Sequence, residues 1–353
     1  MNTKRKMKEN KEIELKSAFS VSENELIEFY RQAFNDRIKQ LTIYWKWLNR
    51  TDYFDNKIPL VMEKNGKVIA HAGMIPFDIS LNEKKYKAAW FIDFKILDEY
   101  QRQGLGGVLT KEWVNYPDCC VTFCNHKSIG VFKKLGWQEV FNAYRTLIFV
   151  HMFDHPGFVR MLPKFIRKGL NFLIIPFLFT IYKTRAKTSQ NYSISKLSDD
   201  SFLDFYELYK MKLQKDNTTS TIRDAAYAKW RILQSPNKER YHIYSTEDFK
   251  AVILIHNNHS MYIDVLWVSD NANELQIKRM IARLGIFGFK NNIAYIRMLT
   301  MRKNIADSLK IRIFTKVQYL RFAYYSKDKS IFEEMKATRF DFELIDSDFE
   351  HIK

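Results

Sequence analysis

The chain has 353 residues, of which 46% are apolar and 15% aromatic, and it carries a formal net charge of +17. This apolar content excludes a disordered protein, and the length predicts two domains, each able to bury a core. The excess of Lys and Arg predicts a polyanionic partner, which could be nucleic acid, an anionic membrane or a phosphorylated small molecule. The sequence lacks zinc-finger, RRM and basic-zipper patterns, so we expect no specific nucleic-acid site.

The amino terminus, residues 1–16, is rich in Lys, Glu and Asn and has no apolar run. We interpret it as a disordered tail rather than a secretory signal. No uninterrupted apolar segment reaches the roughly 18 residues that a membrane-spanning helix needs. We therefore expect a cytoplasmic protein that is either soluble or peripherally bound at the inner face of the membrane.

The first half of the chain predicts a helix followed by several strands. Residues 22–34 have apolar residues at helical spacing and begin with a Ser-x-x-Glu capping box. Residues 60–72 predict two strands that are joined at Asn65-Gly66, because Asn-Gly between apolar runs is a strong hairpin signal. Further strands are predicted over 73–79 and 86–97.

The next segment combines a strand, a glycine turn and a helix. The apolar run Phe91–Leu97 is followed by Gln101-Arg102-Gln103-Gly104-Leu105-Gly106-Gly107 and a helical pattern. Such a turn directs backbone N–H groups and the positive end of a helix dipole at one point. Gly104 and Gly106 can adopt positive φ and allow a ligand to approach the backbone closely. The segment therefore predicts an anion site.

A second segment follows at a fitting distance and runs Asn125-His126-Lys127-Ser128-Ile129-Gly130-Val131-Phe132-Lys133-Lys134-Leu135-Gly136-Trp137. Asn125 is placed to cap a helix, and Gly136 lies where the end of that helix needs positive φ. The two segments resemble motifs A and B of the GNAT acyltransferase superfamily. The resemblance implies an α/β fold, with a mixed sheet and helices on both faces, and acetyl-CoA (acyl-CoA) as co-substrate. By the resemblance, the residues that bind it are Ile96, Leu97, Gln101, Arg102, Gln103, Gly104, Leu105, Gly106, Gly107, Asn125 and Phe132.

The resemblance also implies how the thioester is treated. Backbone N–H groups of Ile96 and Leu97 would stabilise the oxyanion, each contributing about 3 kcal/mol. The family usually has Tyr at the position of Phe132, where the hydroxyl protonates the leaving thiolate. Here water or another hydroxyl, with Tyr100 and Tyr144 nearby in sequence, would do so, or the thiolate would leave unassisted.

A general base for the amine must be a carboxylate or a histidine. Asp93 is the first candidate, because it stands in an otherwise apolar strand. The alternative is a structural carboxylate, and the equivalent Asp264 in the second half favours that alternative. His71 is the second candidate, and its alternative is a core histidine.

The three cysteines, Cys119, Cys120 and Cys124, fall in one predicted strand. Neighbouring strand residues point to opposite faces, and the spacing matches no zinc site. We predict buried core residues there, with neither a disulfide framework nor a metal.

The second half repeats features of the first. Tyr44-Trp45-Lys46-Trp47-Leu48 is similar to Tyr227-Ala228-Lys229-Trp230-Arg231, and Phe91-Ile92-Asp93-Phe94 is similar to Tyr262-Ile263-Asp264-Val265. The glycine turn does not recur, because 271–276 has no glycine and adds a carboxylate. The alternatives are a tandem repeat, in which only the first copy binds CoA, and chance similarity.

A connector separates the halves. From His155 to Ser198 there is no Asp or Glu, and cations bracket the apolar run 170–182, which Pro176 interrupts. One interpretation is an in-plane membrane anchor over 158–187. The other is a helix buried between the two domains.

These patterns predict four regions: a tail (1–16), an acyl-CoA-binding domain (17–150), the connector (151–190) and a degenerate GNAT-like acceptor domain (191–353). The predicted function is N-acyl transfer, most simply of acetyl, to a small-molecule primary amine. An amino sugar of a surface-polysaccharide precursor, phosphorylated through its nucleotide or lipid carrier, is the suggested acceptor. The alternatives are a Fem-type transferase that uses aminoacyl-tRNA and a non-catalytic CoA-binding protein.

Overall fold

The computed structural model describes residues 13–49, 53–124, 128–187, 191–215, 220–222, 224–256, 259–269, 272–310 and 314–347. Over these residues the chain has the predicted mixed α/β architecture, in which helices cover a single large sheet. The strands are β1 (Ile13–Ser17), β2 (Leu60–Lys64), β3 (Lys67–Leu81), β4 (Lys84–Ile96), β5 (Cys119–Cys124), β6 (Gln138–Phe149), β7 (Ser193–Lys196), β8 (Ser220–Thr221), β9 (Tyr241–Ser245), β10 (Phe249–His256), β11 (Ser260–Val268), β12 (Tyr295–Thr300) and β13 (Thr315–Tyr325).

The helices are α1 (Glu23–Ala33), α2 (Ile38–Asn49), α3 (Leu105–Trp113), α4 (Ile129–Lys134), α5 (Pro156–Met161), α6 (Lys164–Ala186), α7 (Asp199–Lys215), α8 (Ala225–Ala228), α9 (Glu274–Lys290), α10 (Lys303–Ser308) and α11 (Lys329–Ala337). In the first half they cover both faces of the sheet. Adjacent residues of β2 point to opposite faces, so Val61 packs with α1 and α2 while Met62 packs with α3. The described part of the second half is covered by α6 and α9 through a separate core cluster.

The strands are ordered β1-β2-β3-β4-β5-β13-β6-β12-β11-β10-β9-β7, with β8 added to β3. Outside the two central strands, strand numbers rise from one edge of the sheet towards its centre and fall from the centre to the other edge. The two central strands are exchanged. β13 comes from the second half but pairs with β5, and β6 comes from the first half but pairs with β12. The two also pair with each other. The predicted halves therefore share one continuous sheet, whereas the repeat and its boundaries stay predictions.

Several local predictions are confirmed. Asn65 and Gly66 adopt φ of 50° and 75°, as a two-residue hairpin turn between β2 and β3 requires. The capping box at Ser22 is formed. The cysteines of β5 are buried and free. Burial raises the pKa of the Cys119 and Cys124 thiols to about 12, which leaves them protonated and unreactive.

Three boundaries differ from prediction. Residues 13–16, included in the predicted tail, belong to β1 and pair with β2. The predicted strand 73–79 is the middle of one long strand, β3. The apolar run 170–182 is part of the 23-residue helix α6, which continues through Pro176. By length and composition α6 could cross a membrane. This differs from the expectation above, which counted only uninterrupted apolar residues, whereas the helix also includes the polar residues that flank them.

Candidate functional site

The site begins where β4 and β5 diverge. The two strands are parallel and pair only through Ala88–Trp90 and Cys119–Val121. Beyond Trp90 no described strand pairs with this edge of β4, while β3 pairs with the other edge as far as Ile96. The backbone of β4 beyond Trp90 is therefore unpaired with any described strand on the edge that faces β5.

A bulge in β4 coincides with this divergence. The register places Ile92 opposite Gly73 and Lys95 opposite His71, so Asp93 and Phe94 together face one residue of β3. Asp93 adopts φ of 47°, which is unusual for a residue other than glycine. A bulge re-aims the strand beyond it. Here it directs the following residues of β4 into the open cleft.

Only one of the two predicted oxyanion donors is available. The Leu97 N–H donates to the Ile69 carbonyl at 2.9 Å, so it belongs to the ladder between β4 and β3. Alternate residues of a strand direct their N–H groups to opposite edges, so the Ile96 N–H points to the open edge. The assignment of Leu97 is therefore wrong, because the sequence does not show which edge each N–H faces.

Helix α3 begins beside the same edge. Gly104 is its N-cap residue and adopts φ of 83°, as predicted. Gly106 does not adopt a positive φ, and its lack of a side chain instead permits close packing. A Cβ on Gly106 would lie 3.2 Å from Phe94 Cζ and 3.3 Å from Ile96 Cδ1, so its absence lets the first turn of α3 lie against β4.

The turn before α3 is held by its own side chains. Gln101 Nε2 donates to the Ile96 carbonyl at 3.0 Å and to Asp98 Oδ1 at 2.6 Å. Gln103 Nε2 donates to the Glu99 carbonyl at 3.3 Å. These side chains therefore shape the loop, and residues 101–104 are exposed.

The N-terminus of α3 can bind an anion. The first N–H groups of a helix have no acceptor within it, and the helix dipole places positive potential there. A Cβ on Gly104 or Gly107 would meet nothing within 4 Å, so the space beside both residues is open. Arg102 is exposed in the same turn and adds a positive charge, whereas the Leu105 side chain is buried in the core. This arrangement suits a pyrophosphate.

Asp93 is engaged in an ion pair. Its Oδ1 lies 2.9 Å from Arg37 Nη1, and the side chains are only 7% and 16% exposed. A base would take a proton and thereby lose the negative charge that faces the nearly buried Arg37 guanidinium, which is costly. The contact favours the structural alternative for Asp93. Arg37 could not be found from the sequence, because it lies far from Asp93 along the chain.

His71 lies in the core beneath the bulge. Its Nδ1 is 3.0 Å from the Asp93 carbonyl and its Nε2 is 3.3 Å from Tyr30 Oη. A carbonyl only accepts, so Nδ1 carries the proton and the Tyr30 hydroxyl donates to Nε2. Burial lowers the pKa of His71. Both nitrogens are occupied, which favours the core alternative for His71.

The remaining candidates are Tyr144, Phe132 and Asn125. Tyr144 is on β6, separated from β4 by β5 and β13, and its ring contacts Tyr319 at 5.5 Å. Phe132 is buried, with its ring 5.5 Å from that of Phe91 and 4.8 Å from that of Trp137. Tyr144 is therefore separated from the open edge of β4, whereas Phe132 belongs to the core cluster against which Ile96 packs. Asn125 is outside the described residues.

Comparisons with known proteins agree with this geometry. Residues 15–116 match the family model of the acetyltransferase (GNAT) domain. No curated protein sequence matches the chain. The structure of a GCN5-related N-acetyltransferase from Kribbella flavida is 11% identical, with a TM-score of 0.54 over 88% of this chain and 70% of that one.

Two further solved structures are similar. N-myristoyltransferase from Saccharomyces cerevisiae, solved with bound myristoyl-CoA, is 11% identical, with a TM-score of 0.58 over 89% of this chain and 80% of that one. A fungal GCN5-related glucosamine N-acetyltransferase region is 10% identical, with a TM-score of 0.55 over 89% of this chain and 38% of that one. At these identities the likeness establishes the fold.

Proposed function

We propose that this chain, in which residues 15–116 form a GNAT domain within a GNAT-type fold, is an acyl-CoA-dependent N-acyltransferase that most simply moves acetyl to a primary amine. One observation carries the proposal. The N-terminus of α3, which begins at Gly104, lies against the open edge of β4, so an anion site is adjacent to the Ile96 N–H that points to this edge. A pyrophosphate-bearing thioester needs these two features together.

The residues present fit acyl-CoA, which would supply an acyl group already activated as a thioester. Backbone N–H groups at the start of α3, with Arg102 beside them, would hold the pyrophosphate. The Ile96 N–H would donate to the oxygen that gains charge during acyl transfer. A single donor of this kind is worth about 3 kcal/mol.

No side chain of the site is assigned as acid or base. The Asp93 carboxylate is paired with Arg37, and the Phe132 ring has no proton to donate. We propose that the amine loses its proton to water and that the thiolate leaves unassisted. A thiol with a pKa of about 8.5 is already a good leaving group.

An amino sugar is the proposed acceptor, carried on a nucleotide or lipid phosphate. The net charge of +17 would attract a phosphorylated acceptor. One structural neighbour is described as a glucosamine N-acetyltransferase, which supports the class of acceptor by analogy of fold alone.

Two alternatives predict different behaviour. A Fem-type transferase would use aminoacyl-tRNA and has no need of the turn at Gly104. A non-catalytic CoA-binding protein would bind acyl-CoA without turnover. The presence of the glycine turn favours an acyl-CoA ligand over aminoacyl-tRNA.

The test measures binding of acetyl-CoA by calorimetry and release of free CoA thiol in the presence of amines. The amines are glucosamine, glucosamine phosphate, a nucleotide-linked amino sugar and a polyamine. We expect thiol release that requires an amino sugar and rises with pH until that acceptor's own amine is neutral. Binding without thiol release would favour the non-catalytic alternative, and failure to bind would overturn the proposal.

A further inference from the structure

Helix α6 is attached lengthwise to the rest of the protein along one face. Near its start, Asn171 Nδ2 donates to Asp154 Oδ2 at 2.8 Å. Near its end, the Tyr182 hydroxyl donates to the Phe149 carbonyl at 2.8 Å. The ring of Tyr182 lies so close to α9 that a Cβ on Gly285 would be 2.6 Å from it. The inner face of α6 is therefore fixed to the sheet and to α9.

The outer face of α6 is apolar and exposed. Phe165, Phe172, Leu173 and Phe177 are 75%, 79%, 71% and 59% exposed. Their spacing places them on one side of the helix, opposite Asn171, Leu178 and Tyr182. Only 17% of the apolar stretch of α6 is buried. The low burial of α6 disfavours the alternative of a helix buried between two domains.

The charged residues of the segment that contains α6 have a single sign. No Asp or Glu occurs from residue 155 to residue 198. Five exposed cations flank the apolar residues at the two ends of α6, namely Arg160, Lys164, Lys168, Lys183 and Lys187. An apolar stripe between clusters of cations is complementary to a bilayer surface, which offers acyl chains beneath anionic head groups.

We propose that α6 docks the protein in the plane of an anionic membrane, with Phe172, Leu173 and Phe177 inserted below the head groups. The attachments at Asn171 and Tyr182 keep the helix parallel to the protein surface, so only its outer face can meet lipid. A helix crossing the bilayer would have to break both attachments and expose α9. The enzyme would thereby act at a membrane surface.

The test is flotation with vesicles of phosphatidylcholine and phosphatidylglycerol in equal parts, compared with phosphatidylcholine alone. We expect the parent protein to float with the anionic vesicles at low salt and to be released at high salt. The variant Phe172→Ser/Leu173→Ser/Phe177→Ser should lose about a hundredfold or more in vesicle affinity. Its melting temperature should fall little, because Phe172 and Leu173 are exposed and, among the described residues, only Phe177 of the three contacts a core ring, that of Phe314 at 6.3 Å.

Matched variants keep this test decisive. Ile43→Ser/Leu203→Ser/Leu275→Ser removes three side chains that are 60%, 53% and 55% exposed on other helices, and it should float like the parent. Lys164→Gln/Lys168→Gln/Lys183→Gln removes charge without touching the apolar stripe, and it should bind less tightly and with less sensitivity to salt.

Four outcomes would overturn the proposal. The first is absence of flotation by the parent at low salt. The second is equal loss of affinity in the two serine variants. The third is vesicle attachment that survives high salt and alkaline carbonate, which would indicate a spanning helix. The fourth is a parent that dimerises and does not float, with dimerisation abolished by the Phe172→Ser/Leu173→Ser/Phe177→Ser variant, which would identify the outer face as an interface between copies.

Discussion

Trp47 and Trp230 exchange hydrogen bonds. The Trp47 indole N–H donates to the Trp230 carbonyl at 2.9 Å, and the Trp230 indole N–H donates to the Trp47 carbonyl at 2.8 Å. The Arg231 guanidinium lies over both rings, at 5.1 and 5.4 Å. The two tryptophans occupy equivalent places in the similar segments of the two halves. The contact therefore joins the two halves of the chain.

Removing the Trp47 N–H should weaken this junction. Trp47→Phe leaves the Trp230 carbonyl without its donor, and we expect the free energy of unfolding in urea to fall by about 1–3 kcal/mol. Trp45→Phe is the control, because Trp45 is on the same helix, is also half-buried, and its buried indole N–H has no acceptor among the described residues. Equal losses in the two variants would contradict a role for the hydrogen bond.

The glycine at the start of α3 should be essential for acyl-CoA. Gly104→Glu places a carboxylate at the anion site and a side chain at φ of 83°, so we expect acetyl-CoA binding to weaken at least about a hundredfold. Leu275→Glu adds a glutamate to the first turn of α9, where no CoA site is proposed, and should bind normally. Calorimetry measures both. Retained affinity in a folded Gly104→Glu protein would contradict the site.

The ion pair of Asp93 can be separated from a catalytic role. If the carboxylate only anchors the bulge, Asp93→Asn and Arg37→Met should each destabilise the protein by about 3–5 kcal/mol, because each removes one charge of a nearly buried ion pair. The double variant should lose less than the sum, and the two single variants should lower kcat to a similar extent. A kcat reduced 10²- to 10⁴-fold by Asp93→Asn alone would instead indicate a general base.

The buried His71 should make stability depend on pH. Its pKa is lowered by burial, so below the ordinary value of about 6.5 the unfolded chain binds a proton that the folded chain does not. The free energy of unfolding should therefore fall as pH decreases below 6.5, by up to about 1.4 kcal/mol per pH unit from this group. Urea unfolding at several pH values should show a shallower decline in His71→Gln. An unchanged decline would contradict this assignment.

The exposed His259→Gln variant controls for loss of an imidazole as such. His151, His155 and His242 also have pKa values lowered by burial, so part of the decline should persist in His71→Gln.

Features that depend on neighbouring residues were predictable from the sequence. The Asn65-Gly66 turn, the Ser22 capping box, and the positive φ of Gly104 and Gly136 each follow from a short stretch of chain. The steric freedom of glycine and the reach of a capping side chain are local properties. They were sufficient to identify the glycine turn beside β4 and, through it, the resemblance to GNAT proteins.

Tertiary structure alone decided what those features contact. The ion pair of Arg37 with Asp93 and the enclosure of His71 by Tyr30 depend on how α1 and its following turn fold over β3. The Leu97 N–H, predicted as an oxyanion donor, donates to the Ile69 carbonyl instead. Strand register, not composition, determines which edge each N–H faces. The exchange of β6 and β13 and the exposure of α6 likewise arise from pairings between distant segments, whose partners no local pattern specifies.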